Sequence, residues 1–172
     1  GLDMDEVGTL RDHYEPHSGE ERNILEIPDL VYKDNGTINI GEMRSQFGKM
    51  LDEKGGFLKI PFDMNFPNGK PMMKDTEGNT LVPILSSYLR SGQEFKDGTS
   101  SNHDYTNNYL NLYMKCVQYL EAKEKLENPD LDAKKRSVYE GRLKDLPMKA
   151  QDDYNRVAND VIKRQFEGKH NY

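Results

Sequence analysis

The sequence predicts an α+β fold, in which a small antiparallel sheet in the amino-terminal half packs on a carboxy-terminal antiparallel unit of about three helices. Asn35-Gly36 joins two short apolar runs, which is typical of a β-hairpin. Over residues 101–172, apolar residues recur at three- and four-residue steps, the period of amphipathic helices. Hydrophobic residues make up 34% of the 172 residues. This share supports one modest core, so we expect residues 24–172 to form a single compact domain, sheet-rich over 24–100.

The first residues differ from the rest of the chain in charge. Residues 1–30 carry nine acidic side chains against two arginines, a net charge of -7, and the remaining residues carry +1. Residues 1–23 are also polar and interrupted by Pro16 and Gly19, so we predict an acidic, flexible lead-in. The alternative is an acidic segment that docks on a basic partner. The nearly neutral remainder argues against binding to duplex nucleic acid, which requires neutralisation of phosphates.

The predicted hairpin pairs residues 30–33 with residues 37–40. Ile38 and Ile40 alternate with polar residues along the second strand. Because side chains alternate between the two faces of a strand, we expect both isoleucines to lie on a buried face.

A short helix is predicted over residues 42–54. Met43, Phe47 and Leu51 recur at four-residue steps and would share one face. Gly55 follows this pattern and is expected to end the helix.

Residues 57–62 read as a third strand because they are mostly apolar and include an aromatic residue at each end. Residues 63–80 then form either a long loop or a second hairpin with its turn at 75–79. Pro83 fits the first position of a short helix, since proline is favoured there. Residues 92–104 are rich in glycine, serine and asparagine and predict a loop.

Three helices are predicted in the carboxy-terminal part. The first is capped by Asp104 or Asn102 and runs to Glu127, where Asn-Pro follows. Asp132 caps the second, which we expect to end before Pro147 because proline disfavours a helical residue before it. The third carries an apolar seam from Ala150 to Phe166.

Tyrosine is the compositional excess of the chain, with ten tyrosines and no tryptophan. Tyr105, Tyr109 and Tyr113 fall at four-residue steps on the first of these helices. Such rings can stack a flat ligand, and we treat them as candidate binding residues. The alternative is that they pack in the core between the helix and the sheet.

A polar loop over residues 68–80 supplies the other candidates. It combines two glycines with Lys70 and Lys74. Backbone N–H groups and ammonium groups in such a loop can bind an anion. The same residue types are also ordinary in hairpins, which is the alternative explanation.

No catalytic, metal-binding or cofactor-binding residues are predicted. The chain has no Gly-x-Ser-x-Gly, His-Glu-x-x-His or glycine-rich phosphate motif. Cys116 falls on an apolar helix face, where a small buried thiol is expected rather than a nucleophile. His13 and His17 have Pro16 between them, so a helix cannot place both rings on one metal.

These observations predict a non-catalytic, intracellular binding or interaction module rather than an enzyme. Gly1 in place of methionine suggests a fragment of a larger protein. The alternative is a domain that binds a small anionic aromatic ligand, such as a nucleotide, through the tyrosines and the 68–80 loop. A protein partner or a small anion is therefore expected, and no membrane, because no apolar run approaches about 18 residues. The single cysteine fits the reducing cytoplasm.

Overall fold

The computed structural model describes residues 23–53, 55–61, 64, 66–85 and 101–170, and within the last range the side chains of residues 106–163. The predicted acidic lead-in, apart from Asn23, lies outside these residues. In chain order the described elements are β1 (Ile24–Leu25), α1 (Ile40–Met50), β2 (Phe57–Lys59), β3 (Met73–Lys74), β4 (Thr80–Pro83), α2 (Ser101–Leu126) and α3 (Ala133–His170). The sheet precedes the two long helices, so the predicted α+β class is confirmed.

The four described strands form one sheet in the order β1-β2-β4-β3. β4 pairs antiparallel with both of its neighbours, whereas β1 and β2 are parallel. The sheet is therefore mixed: it is mostly antiparallel, as predicted, with one parallel pair. A parallel pair needs a crossover connection, and the residues between β1 and β2 supply one that contains α1.

The turn of the predicted first hairpin forms, but its two strands do not. Gly36 has a positive φ of 84°, which fits its place after asparagine. The Gly36 N–H donates to the Lys33 carbonyl at 2.9 Å. Pairing stops at a single bridge between Tyr32 and Ile38, so the two predicted strands do not form.

Helix α1 begins earlier than predicted and ends earlier. Asn39 caps it, since the asparagine Oδ1 accepts the Glu42 N–H at 3.1 Å. Ile40 thus opens the helix instead of ending a strand, and it is 49% exposed where burial was predicted. The predicted buried face is otherwise correct, because Met43 and Phe47 lie in the core.

The second hairpin is confirmed, with β3 and β4 joined through the turn at 75–79. The helix predicted to start at Pro83 is wrong, because Pro83 ends strand β4. The Ile84 N–H donates to the Gly56 carbonyl of the β2 side. The nitrogen of Pro83 consequently points the other way, beyond the end of β3, where no ladder hydrogen bond is required. The remainder of that predicted helix lies outside the described residues.

Over residues 101–170 the structure describes two long helices, and α2 begins at Ser101, ahead of the caps predicted at Asn102 or Asp104. Asp132 caps α3 as expected, with its Oδ1 accepting the Lys135 N–H at 2.7 Å. The break predicted before Pro147 is wrong, and α3 continues through it. An internal proline costs a helix about 3 kcal/mol. Leu146 and Ala150 are buried on either side of it, and this packing holds the helix together.

The main core lies between α1, one face of the sheet, and the antiparallel pair α2 and α3. Its buried side chains include Met43, Phe47, Leu58, Val82, Tyr109, Leu112, Tyr113, Tyr154 and Val161. The opposite face of the sheet buries a second cluster of Phe57, Met73 and Leu81. Along β2 and β4, successive residues therefore belong to the two clusters in turn, because side chains alternate between the faces of a sheet.

None of the helices in the described part of the chain has both the length and the apolar character needed to cross a lipid bilayer.

Candidate functional site

A cavity of about 720 Å³ lies between helix α3 and the segment that leads into the second hairpin. We call residues 66–80 the cavity segment. Ile60 and Pro61 line the cavity from the end of β2, Phe66, Lys70 and Lys74 line it from the cavity segment, and Tyr154 lines it from α3. Small-molecule sites in proteins span about 300–1,000 Å³, so this cavity has the size of a ligand site.

Two stacked aromatic rings form part of the apolar wall. The rings of Phe66 and Tyr154 have centroids 4.7 Å apart and planes that differ by 22°. Tyr154 is buried, and Phe66 is half-buried beside it. Buried Met64 and Met72 also line the cavity and give it further apolar surface.

The cavity segment is held to α3 by side chains that satisfy its backbone. The Lys70 N–H donates to Asn155 Oδ1 at 2.8 Å, and the Tyr154 hydroxyl donates to the Lys70 carbonyl at 2.6 Å. The Asn68 N–H donates to Gln151 Oε1 at 3.0 Å. Three neighbouring groups of one helix therefore replace the hydrogen bonds that a strand would supply. The cavity wall is thereby formed before any ligand arrives.

The Tyr154 hydroxyl is a permanent donor in this arrangement. Burial raises the pKa of Tyr154 well above its usual range. The hydroxyl consequently keeps its proton at physiological pH and continues to donate to the Lys70 carbonyl. This hydrogen bond fixes the backbone of a lysine that lines the cavity.

Gly69 permits the close approach of the cavity segment to α3. A Cβ atom at this position would lie 2.8 Å from Phe66 Cβ and 3.0 Å from Tyr154 Cε2. Both distances are shorter than ordinary van der Waals contacts between carbon atoms. A residue larger than glycine would push the segment away from the helix.

The turn at 75–79 closes the other side of the cavity. Asp75 Oδ1 accepts the N–H groups of Glu77 and Asn79, and Asp75 Oδ2 accepts the Asn79 side-chain amide. Gly78 completes the turn with a φ of 89°. Burial raises the pKa of Asp75, but these hydrogen bonds outweigh it and lower the pKa overall.

Lys70 and Lys74 give the cavity its positive charge. Lys70 is half-buried and Lys74 is exposed. Among the described residues, neither ammonium group has a carboxylate within ion-pair distance. The nearby Asp75 carboxylate is occupied by the turn and does not line the cavity. The described lining therefore carries two cations and no carboxylate.

The predicted tyrosines lie elsewhere. Tyr109 and Tyr113 are fully buried in the core, where each ring lies 5.3 Å from the ring of Phe47. This is the packing alternative of the sequence analysis, and neither ring lines the cavity. The side chain of Tyr105 lies outside the described residues, so its part in a ligand platform stays a prediction.

Cys116 is also a core residue. Burial raises the pKa of its thiol to about 12, so the group stays protonated and unreactive at neutral pH. Its Sγ contacts Met64 Sδ at 3.7 Å. Within the described part of the chain, no group of three or more His, Cys, Asp or Glu side chains could hold a metal ion. His13 and His17 are outside that part.

Of the five predicted binding residues, the structure brings Lys70 and Lys74 to one cavity. Sequence reasoning missed Phe66, Tyr154 and Asn155. Tyr154 belongs to the apolar seam of α3, and nothing in its neighbours distinguishes it from an ordinary core residue. Only the packing of α3 against a segment more than 80 residues away reveals its role.

Comparisons with protein-family models, with curated proteins and with solved structures find no match for this chain. Its function is therefore argued from the chemistry of its own surface.

Proposed function

We propose that this chain is a binding module whose cavity takes a small anionic ligand with a flat ring, a class that includes nucleotides. The observation that carries the proposal is the pairing of two lysines with a stacked aromatic wall in one preformed cavity. Ligand sites commonly combine a mostly apolar lining with a few well-placed polar groups.

The anionic part of the ligand follows from the two lysines. Lys70 and Lys74 both line the cavity, and neither has a carboxylate partner among the described residues. Lysine is a flexible point charge that suits phosphate or carboxylate groups. An anion bound in the cavity would neutralise the charge of these ammonium groups.

The flat part of the ligand follows from the apolar lining. Phe66 already stacks on Tyr154, and a ligand ring could extend the stack on the cavity side of Phe66. Stacked aromatic pairs contribute about 0.5–1.5 kcal/mol beyond the burial of their surface. Pro61 and Pro71 add rigid apolar surface at the edge.

Thermal unfolding in the presence of nucleoside monophosphates and aromatic carboxylates tests the proposal. A ligand at 100 times its Kd should stabilise the protein by roughly 2.7 kcal/mol. Adenosine alone and inorganic phosphate alone should bind more weakly than the monophosphate, because each retains only one of the two features.

Charge-removing variants then locate the site. Lys70→Gln and Lys74→Gln should each weaken binding about tenfold, which corresponds to about 1.4 kcal/mol. Lys33→Gln removes the same charge from an exposed residue outside the cavity lining and should leave binding unchanged. An unchanged melting temperature across the whole panel, or equal losses in all three variants, would contradict the proposal.

A further inference from the structure

A second concave surface lies where α2 turns into α3. It is a cleft of about 650 Å³ between residues 35–37 and the facing ends of the two helices. It shares no lining residue with the cavity. All of its lining residues belong to the described part of the chain.

The lining of this cleft is strongly cationic. Lys125, Lys134, Lys135 and Arg142 line it, and Asp132 is the one acidic residue among the described lining residues. The Asp132 carboxylate is occupied as the cap of α3, where its Oδ1 accepts the Lys135 N–H. The cleft therefore presents an excess of positive charge to a ligand.

Two of the cations are held in place by the fold. Lys125 Nζ donates to the Gly36 carbonyl at 2.8 Å and lies 4.5 Å from the centroid of the Tyr32 ring. Arg142 Nη1 donates to Glu121 Oε1 at 3.2 Å, and Glu121 is 7% exposed. These contacts fix the walls of the cleft. Lys134 and Lys135 are exposed, and neither has a carboxylate within ion-pair distance among the described residues.

An apolar side chain lies among these cations. Val138 lines the cleft and is 50% exposed, one of few large hydrophobic side chains left in water in the described part of the chain. Lys134, Val138 and Arg142 are four residues apart on α3, so they follow one another along one face of the helix. Half-buried Leu131 extends the apolar surface.

We propose that this cleft docks an acidic peptide segment of a partner protein, in which carboxylates flank an apolar side chain. The carboxylates would pair with Lys134 and Lys135, and the apolar side chain would cover Val138. Charge complementarity identifies the partner, because opposite charges across an interface favour and steer association. Nucleic acid fits less well, since its backbone offers no apolar group to Val138.

The test uses the full chain and a fluorescent synthetic peptide in which pairs of glutamates flank a leucine. Fluorescence anisotropy should show saturable binding that weakens as salt screens the charges. Replacing the leucine by serine, or the glutamates by glutamine, should weaken binding at least severalfold.

The double variant Lys134→Glu/Lys135→Glu should weaken binding more than tenfold. Its matched control is Lys144→Glu/Lys149→Glu, which makes the same change of net charge at exposed positions of α3 outside the cleft. Val138→Ser should lower affinity for the leucine peptide and leave the affinity for the serine peptide unchanged. Circular dichroism of each variant checks that the helices are retained.

Equal losses in the two double variants would overturn the proposal, since they would show attraction to net charge alone. Absence of saturable peptide binding would also overturn it, as would tighter binding of a DNA duplex that depends on Lys134 and Lys135. Lys70 lines the cavity and not the cleft, so Lys70→Gln should not change binding of the acidic peptide. The two proposals therefore succeed or fail independently.

Discussion

The cavity and the cleft are built from the sequence in opposite ways. The cavity joins residues that are far apart in the chain, as in the hydrogen bond from Lys70 to Asn155. The cleft is formed mostly by one continuous stretch, residues 125–142, closed by the turn at 35–37. Two lysines line the cavity beside its aromatic and apolar side chains, whereas three lysines and an arginine line the cleft.

This difference indicates how each surface depends on the rest of the fold. The cavity exists only while α3 packs against the cavity segment, because the helix supplies its hydrogen-bond partners. The cleft requires the α2–α3 turn and the capped first turns of α3. Changes in the second half of α3 should therefore alter the cavity and spare the cleft.

The largest effect is expected from Tyr154→Ala. Truncating this buried ring removes the stack on Phe66 and the hydrogen bond to the Lys70 carbonyl. Loss of a buried aromatic side chain costs about 3–5 kcal/mol, measurable as a lower urea midpoint. Below the unfolding transition, cavity binding should be lost and binding of the acidic peptide at the cleft should persist.

Tyr154→Phe separates the hydrogen bond from the packing. It keeps the ring and should cost only about 1 kcal/mol. Equal destabilisation by the alanine and phenylalanine variants would show that the ring stack contributes nothing to the wall of the cavity.

An intermediate effect is expected from Gly69→Ala. The added Cβ would meet Phe66 and Tyr154 at distances too short for normal contact, and overpacking of this kind costs about 1–3 kcal/mol. Gly141→Ala is the matched control, because a Cβ there has no atom within 4 Å and lies inside helix α3. The control should be more stable than the wild type by about 0.5–1 kcal/mol. Equal shifts of the urea midpoint in the two variants would argue against close packing at Gly69.

The smallest effect concerns pH and the turn beside the cavity. The pKa of Asp75 is lower in the folded chain than in the unfolded chain. Its carboxylate therefore stabilises the fold above the unfolded pKa of about 4, and this contribution is lost as pH falls through the folded pKa.

Asp75→Asn should be less stable than the wild type at pH 7. The difference in urea midpoint between the two proteins should become smaller in acid, and urea unfolding at pH 7 and at acidic pH measures this difference. Asp145→Asn is the control at an exposed position of α3. A gap for Asp75→Asn that stays constant with pH would indicate that the turn does not depend on the charge of the carboxylate.

Local signals predicted both turns and the cap of α3, whereas the caps predicted at Asn102 or Asp104 lie inside α2. The Asn-Gly turn forms with Gly36 at positive φ, the turn at 75–79 joins β3 to β4, and Asp132 caps α3. Each of these depends on the chemistry of a few neighbouring residues. Lys70 and Lys74, which precede the second turn, were predicted to bind an anion; both line the cavity, and their binding role stays a prediction.

Local signals failed where packing between distant segments outweighs propensity. Pro147 lies inside a continuous helix because the buried residues on either side of it hold the helix against the core. Pro83 fits the last position of a strand because its nitrogen, which has no hydrogen to donate, points away from β2 and past the end of β3. Neither environment can be known before the neighbouring elements are in place.

The sequence by itself determined the α+β class and the positions of the two turns, because these follow from residue type and short-range periodicity. The tertiary structure alone decided which tyrosine lines the cavity. Tyr109, Tyr113 and Tyr154 all lie on apolar helix faces, and their sequence neighbours give no reason to separate them. The first two pack against Phe47, and Tyr154 meets Phe66 and the Lys70 carbonyl. Which segment covers a helix face is set by long-range packing, and no local pattern encodes that choice.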